Sequence, residues 1–205
     1  YLRDKGFLKE AIINFMALLG WNPGGDREIM DMDEMIKLFD LSDINTGSPI
    51  FDIKKLEWMN GEYIRKSQIS PASLREAGLA NLKSQILEFD PSISKIHNFE
   101  KYLPIAKTRM KTLADFRTLV ENQKVDLNQQ QRKLGQELLN AYRELPEWKS
   151  ALISTATIEV RDQIGASTQD IYTVLTGRPQ GLPFEQKLEV QGKSGTISFL
   201  SEILK

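Results

Sequence analysis

Apolar residues recur at helical spacing along most of this 205-residue chain, and nowhere do they alternate for long. Leu127, Gln131, Leu134, Leu138, Ala141 and Leu145 run close to heptad spacing up to Pro146; Trp148, Leu152, Ala156, Val160 and Ile164 repeat the stripe up to Gly165. A stripe of this period covers one face of a helix, whereas a strand turns successive side chains to opposite sides. The nearest approach to strand alternation is QKLEVQ at 186–191. The pattern predicts an all-α protein.

Punctuation between the stripes sets the elements. Leu8, Ile12, Phe15, Met16 and Leu19 share one helical face, and Gly20 follows as a stop. Asp31 and Glu34 form a capping-box pair with Met30 and Met35 in staple positions, predicting a helix over 32–40. Asp52 caps a third helix, with Phe51 and Leu56 as its staple. Ser70-Pro71 reads as an N-cap followed by proline at the first helical position, and Gly78 as the end of a short helix. Two more short helices are expected over 80–89 and 95–103, separated by Asp90-Pro91. Ser167 and Asp170 box the start of a helix that stops at Gly177, and Ile197, Leu200, Ile203 and Leu204 mark an amphipathic C-terminal helix. Softer boundaries fall near 66–72 and 121–126.

Composition excludes several classes of chemistry. The 27 Lys and Arg against 28 Asp and Glu leave a net charge of −1, so contact with nucleic acid must come from a local patch. With no cysteine and His97 as the sole histidine, disulfides, thiolate nucleophiles and histidine-rich metal sites cannot be built, and a reducing cytoplasm is permitted. His97 reads as a surface or half-buried structural residue. The longest apolar runs fall short of the roughly 20 residues of a membrane span. The chain opens on Tyr1 with no initiator Met and no signal-peptide core, as a segment cut from a longer protein would.

No catalytic constellation stands out. GWNPGGD and LTGRPQG lack phosphate-loop spacing and read as turns. The carboxylates at Asp31, Asp33 and Glu34 suit a helix start better than acid–base work. Met30, Met32, Met35, Trp58 and Met59 read as core. The binding candidates are EYIRK at 62–66, PIAKTRMK at 104–111 and TGRPQGLP at 176–183, where Lys107, Arg109 and Lys111 crowd one short stretch. Within FDIKKLEWMNGEYIR, Asn60-Gly61 interrupts a helix that otherwise has good formers, which calls for a reason.

GFLKEAIINFMALLGWNPGGDREIM, DEMIKLF and PIFDIKKLEWMNGEYIR together closely resemble the segment that follows the catalytic domain in bacterial and organellar glutamyl-tRNA synthetases. The resemblance is nearly gapless over 1–66, loosens beyond, and returns at RMKTLADF (109–116) and LTGRP (175–179). It implies a helical stem-contact region at 1–66, then a two-subdomain α-helical anticodon-binding cage at 67–121 and 122–205. It further implies a cytoplasmic, monomeric class I ligase whose missing N-terminal catalytic domain attaches glutamate to tRNA(Glu) with ATP and Mg²⁺. On this resemblance the present segment carries no cofactor, no metal and no membrane contact, and is inactive alone; its partners are tRNA(Glu) and that catalytic domain. A helical protein-interaction module derived from the same family is the alternative.

The resemblance also assigns residues. Trp58 and Tyr63 would pack on one side of the Asn60-Gly61 break while Tyr63 and Arg65 lean toward the tRNA stem. Arg109 stands where family members that reject glutamine tRNA hold the arginine reading the last anticodon base. That base is cytosine in glutamate anticodons, with acceptors at O2 and N3, and guanine in glutamine anticodons, with N–H donors; an all-donor guanidinium fits the first and conflicts with the second. Arg178, Gly181, Leu182 and Pro183 would lie near the wobble and middle bases. Tyr172 replaces an arginine common in relatives, and a lysine earlier in that helix is missing, so Tyr172 is expected to stack on a base, a contact of about 1–3 kcal/mol.

Overall fold

A computed structural model of the chain describes residues 1–45, 47–66 and 72–205. Among the described residues there are eleven α-helices, three short 3-10 turns and one isolated antiparallel bridge between Trp21 and Ile44. The all-α expectation holds. No helix among them is long and apolar enough to cross a membrane. The chain forms two compact units, Tyr1–Ile93 with Met110–Phe116, and Ser94–Arg109 with Arg117–Lys205.

The first unit holds α1 (Lys9–Gly20), α2 (Met32–Leu38), α3 (Ile53–Lys66) and α4 (Ala72–Phe89). Phe7 and Phe15 bury against Leu56 and Met59 of α3, while Trp21, Met30 and Met35 form a second cluster under α2. Asp31 caps α2 by accepting from the Glu34 amide at 2.8 Å, and Asp52 accepts from the Lys54 and Lys55 amides at 2.9 and 3.2 Å. Both caps were legible as motifs. The Ser70-Pro71 cap lies outside the described residues. Gly78 does not end a helix, because α4 runs through it to Phe89 and is tied down by buried Leu82 and Ile86. Packing of that kind offsets the roughly 1 kcal/mol that a glycine costs inside a helix.

The Asn60-Gly61 pair has a structural purpose within this unit. Fully buried Asn60 accepts from the Leu8 amide at 2.7 Å and donates through Nδ2 to the Lys111 carbonyl. Beside it, a Cβ on Gly61 would lie 3.2 Å from the Met110 carbonyl oxygen. The pair is a seat for the 110–111 backbone, and its polar half is satisfied on both edges. Asn60→Ala leaves the Leu8 amide and the Lys111 carbonyl without partners, so a loss of about 2–3 kcal/mol is expected in chemical denaturation of this unit. Trp58 and Tyr63 do not share a side: Trp58 is 42% exposed, while Tyr63 turns inward. Met32 is exposed as well, so the core reading of these two holds for neither.

The second unit contains α5 (Phe99–Ala106), α7 (Gln129–Glu144), α8 (Ser150–Ile164), α9 (Thr168–Thr176), α10 (Phe184–Gln191) and α11 (Lys193–Ile203), together with α6 (Asp115–Val120) from Arg117 onward. Its core interleaves Leu134, Leu138 and Tyr142 of α7 with Ile153 of α8, Ile171 and Val174 of α9, Leu188 of α10 and Leu200 of α11. The Tyr142 hydroxyl and Thr157 Oγ1 pair at 2.6 Å inside this core, and burial pushes the phenol's pKa upward. Asn128 and Gln131 box the start of α7, and Ser167 and Asp170 that of α9. Lys193 donates to the Arg143 and Leu145 carbonyls at the end of α7. The QKLEVQ stretch lies in α10 and forms no strand. His97 is exposed, as its sequence context suggested.

Candidate nucleic-acid interface

In the second unit, Arg109, Gln123, Tyr172, Gly177, Arg178 and Gly181 line one open cleft of about 570 Å³. Arg109 follows α5 in a turn closed by its amide on the Ala106 carbonyl at 2.9 Å. Tyr172 projects from α9, its ring held edge-on against Phe184 at a centroid separation of 6.0 Å. Arg178, Gly181 and their neighbours belong to the turn that links α9 to α10. This turn leaves α9 at Gly177, whose amide donates to the Thr173 carbonyl at 2.9 Å and whose φ of +74° turns the chain out of the helix. Opposite, the Gln123 amide donates to the Thr176 carbonyl at 2.9 Å, so the 121–126 linker is bound to the end of α9.

Several cations of the molecule have carboxylate partners, as in Arg27–Glu34, Lys55–Glu28, Arg117–Glu121 and Lys124–Glu202. Arg109 and Arg178 form no ion pair among the described residues, and Arg178 Nε is buried without a hydrogen-bond partner. Burial raises the Tyr172 phenol's pKa first of all, with Glu185 adding to the rise and Arg109 opposing it, so the ring is neutral and available for stacking at physiological pH. The arrangement is two fork-shaped donors flanking one aromatic face.

Four of the residues expected at the RNA, Arg109, Tyr172, Arg178 and Gly181, therefore come together. The others do not join them. Leu182 is fully buried and Pro183 is the residue preceding α10, so Leu182 offers no side chain for stacking on a base. Its backbone follows the polar turn, but its side chain is buried. Lys107 is 3% exposed, and this corrects the reading of 107, 109 and 111 as one solvated cluster. Lys111 lies in the first unit with its Nζ 3.6 Å from Glu57. The Tyr63 hydroxyl lies between two acceptors, Asn14 Oδ1 at 2.7 Å and the Met30 carbonyl, which share its single proton, and desolvation raises its pKa to about 12. Arg65 is bound to Glu62 at 2.6 Å. The Tyr63 hydroxyl and one end of the Arg65 guanidinium are thus engaged within the first unit. Gln123 and Lys187 were not anticipated. Lys187 was visible as a lysine in the helical register of Phe184 and Leu188. Among the described residues no group of three or more Asp, Glu, His or Cys could hold a metal ion.

Comparison with known proteins supplies the class and then the relatives. Residues 1–58 match the family model described as tRNA synthetases class I (E and Q), catalytic domain. The first stretch of the chain is thus shared with class I aminoacyl-tRNA synthetases. Over 95% of its length the chain is a homologue of glutamate–tRNA ligases, being 35% identical to that of Thermobifida fusca across 215 residues. It is 59% identical to the Clostridium botulinum glutamate–tRNA ligase over 64 residues. Crystal structures of a glutamate–tRNA ligase from Elizabethkingia meningosepticum, in complex with its amino acid, and of the synthetase from Elizabethkingia anophelis superpose on 98% of the chain. Their TM-scores are 0.72 and 0.70, at 25% and 27% identity. The chain spans 44% of the Thermobifida protein and 42% and 41% of the two crystallised ones.

Proposed function

We propose that this chain is the tRNA-binding part of a glutamate–tRNA ligase, with its second unit receiving the anticodon loop in the cleft between Arg109, Tyr172 and Arg178. The observation that carries the reading is that two arginines without carboxylate partners converge with a half-buried tyrosine in one open cleft. Single-stranded RNA supplies what such a cleft lacks: phosphate and base acceptors for the guanidinium forks and a π-face for the ring. Arg109 reads the O2 and N3 acceptors of the final cytosine and disfavours guanine. The activity completed by the remaining polypeptide is ATP- and Mg²⁺-dependent attachment of glutamate to tRNA(Glu), in the cytoplasm, by a monomer. Catalysis lies outside this chain, which is inactive alone.

The first unit, whose residues 1–58 match the catalytic-domain model, serves as an attachment to the rest of that domain. It exposes Met32, Ile36, Phe39, Leu41, Ile50 and Trp58, all within the 58 residues that match the catalytic-domain model. Large exposed side chains of this kind suit contact with the rest of that domain better than contact with RNA phosphates.

The test compares binding of glutamate and glutamine tRNA at two salt concentrations, with Arg109→Gln alongside. The expected result is salt-sensitive preference for glutamate tRNA, lost in the variant with a drop of about tenfold to a hundredfold, the range for hydrogen bonds to a charged group. Equal binding of both tRNAs by the unaltered chain removes the discriminating role from Arg109. Salt-independent binding of protein partners by the cleft face, without RNA binding, favours the interaction-module alternative.

A further inference from the structure

Lys187 is 1% exposed on α10, in a position whose helical register belongs to the core. Among the described residues no hydrogen bond or ion pair reaches its ammonium group, and the charge that acts on it is a like one, Arg178. Glu185, on the same helix, acts on Tyr172, and Glu189 accepts from the Ser150 amide at 3.1 Å; neither is among the groups that move Lys187. Arg178 Nε is itself buried and unpartnered, while the rest of the residue lines the cleft. Two cations held near each other without a counter-charge are unfavourable in a low-dielectric interior, unless an anion completes the site.

We propose that Lys187 and Arg178 form an oxyanion site behind the Arg178 wall of the cleft, built to take a phosphate group. A tetrahedral oxyanion has enough acceptor oxygens to engage a guanidinium fork and an ammonium at once, which a single carbonyl or base edge does not. Its source in the assembled complex is a phosphodiester of the RNA strand, and in that respect the inference rests on the RNA-binding reading above. The chemistry of the site does not depend on that reading, because inorganic phosphate offers the same oxygens. Burial and Arg178 together lower the lysine's pKa to about 7, so an arriving anion would restore the charged form that burial and the neighbouring guanidinium disfavour. Arg109 reads a base; Lys187 reads no sequence and fixes the position of the strand.

The experiment uses the 205-residue chain and its Lys187→Met and Arg178→Gln variants. Thermal melts in sodium phosphate are compared with melts in sodium chloride at equal ionic strength. Phosphate stabilises most proteins by exclusion, so the quantity read is the extra increment of the unaltered chain over each variant. An RNA hairpin carrying a glutamate anticodon loop, and a second with a scrambled loop, are then titrated over a salt series. The site predicts that both variants are folded and lack the extra phosphate increment. Lys187→Met should bind both hairpins about tenfold more weakly, with a salt slope shallower by about 0.7, the value for one single-strand phosphate. A Lys187→Met chain that keeps the increment and the slope overturns the site, whatever the RNA preference. A phosphate increment lost in the variants, with no hairpin bound by the unaltered chain, keeps the oxyanion site and removes the RNA reading.

Discussion

Gly177→Ala is expected to destabilise the second unit by at least about 3 kcal/mol and to abolish ligand binding in the cleft. Two separate costs combine at this position. The residue sits at φ +74°, in the left-handed region that costs an L-residue about 1–2 kcal/mol. A Cβ there would also lie 1.7 Å from the Gln123 carbonyl oxygen and 2.6 Å from its carbon, an overlap that no rotamer relieves because both partners are backbone. The linker bound to the end of α9 would have to leave, taking with it the Gln123 amide bond to Thr176 and one wall of the cleft.

A second glycine separates the two costs. Gly165 ends α8 at φ +70°, with its amide on the Arg161 carbonyl, but nothing lies within 4 Å of where its Cβ would be. Gly165→Ala should therefore lose only about 1 kcal/mol, and Gly165→Asn less, because asparagine tolerates the left-handed conformation. At 177 asparagine should be no better than alanine. Equal melting shifts for Gly165→Ala and Gly177→Ala would show that the linker yields and that the overlap is not what keeps glycine there.

Gly177 also shows which parts of the site could be read without coordinates. A stop after the Ser167 box, followed by Arg-Pro, announces a left-handed cap, because local geometry alone requires it. The carbonyl pressed against that cap comes from residue 123, more than fifty positions earlier, and no local pattern encodes it. Helix periods, capping boxes and staples were legible for the same reason: each is decided within one or two turns. Exposure was not. Lys107 and Arg109 differ by two positions in a basic stretch, yet one is buried and the other opens on the cleft, because the turn after α5 rotates them apart. Leu182 sits in a polar turn, yet its side chain is fully buried. Asn60-Gly61 invited an explanation through RNA because the 110–111 backbone that it seats is fifty residues away.

Lys187→Met should make the second unit more stable near neutral pH, and the gain should fade as pH rises. The lysine's pKa falls from 10.5 in the unfolded chain to about 7 in the fold. Between those values unfolding takes up a proton, so the stability of the unaltered chain increases with pH across this window and levels off above it. At and below pH 7 the full penalty of confining the ammonium is present; it is relieved as the folded group loses its proton. At about 1.4 kcal/mol for each unit, with structural relaxation returning part of the cost, a gain of a few kcal/mol is expected at pH 7. For a chain of this size that is a rise of roughly 5–10 °C in the melting temperature of the unit. Methionine nearly matches the volume of the lysine stem, so packing changes little. The raised phenol pKa values of Tyr102, Tyr142 and Tyr172 are common to both proteins and cancel in the comparison. Paired melts at pH 6.5, 8 and 10 should give a difference that shrinks step by step. A difference independent of pH would mean that the ammonium keeps its charge in the fold by reaching water. In that event the same lysine would still be placed to hold an anion, but burial would no longer be what makes it ready to do so.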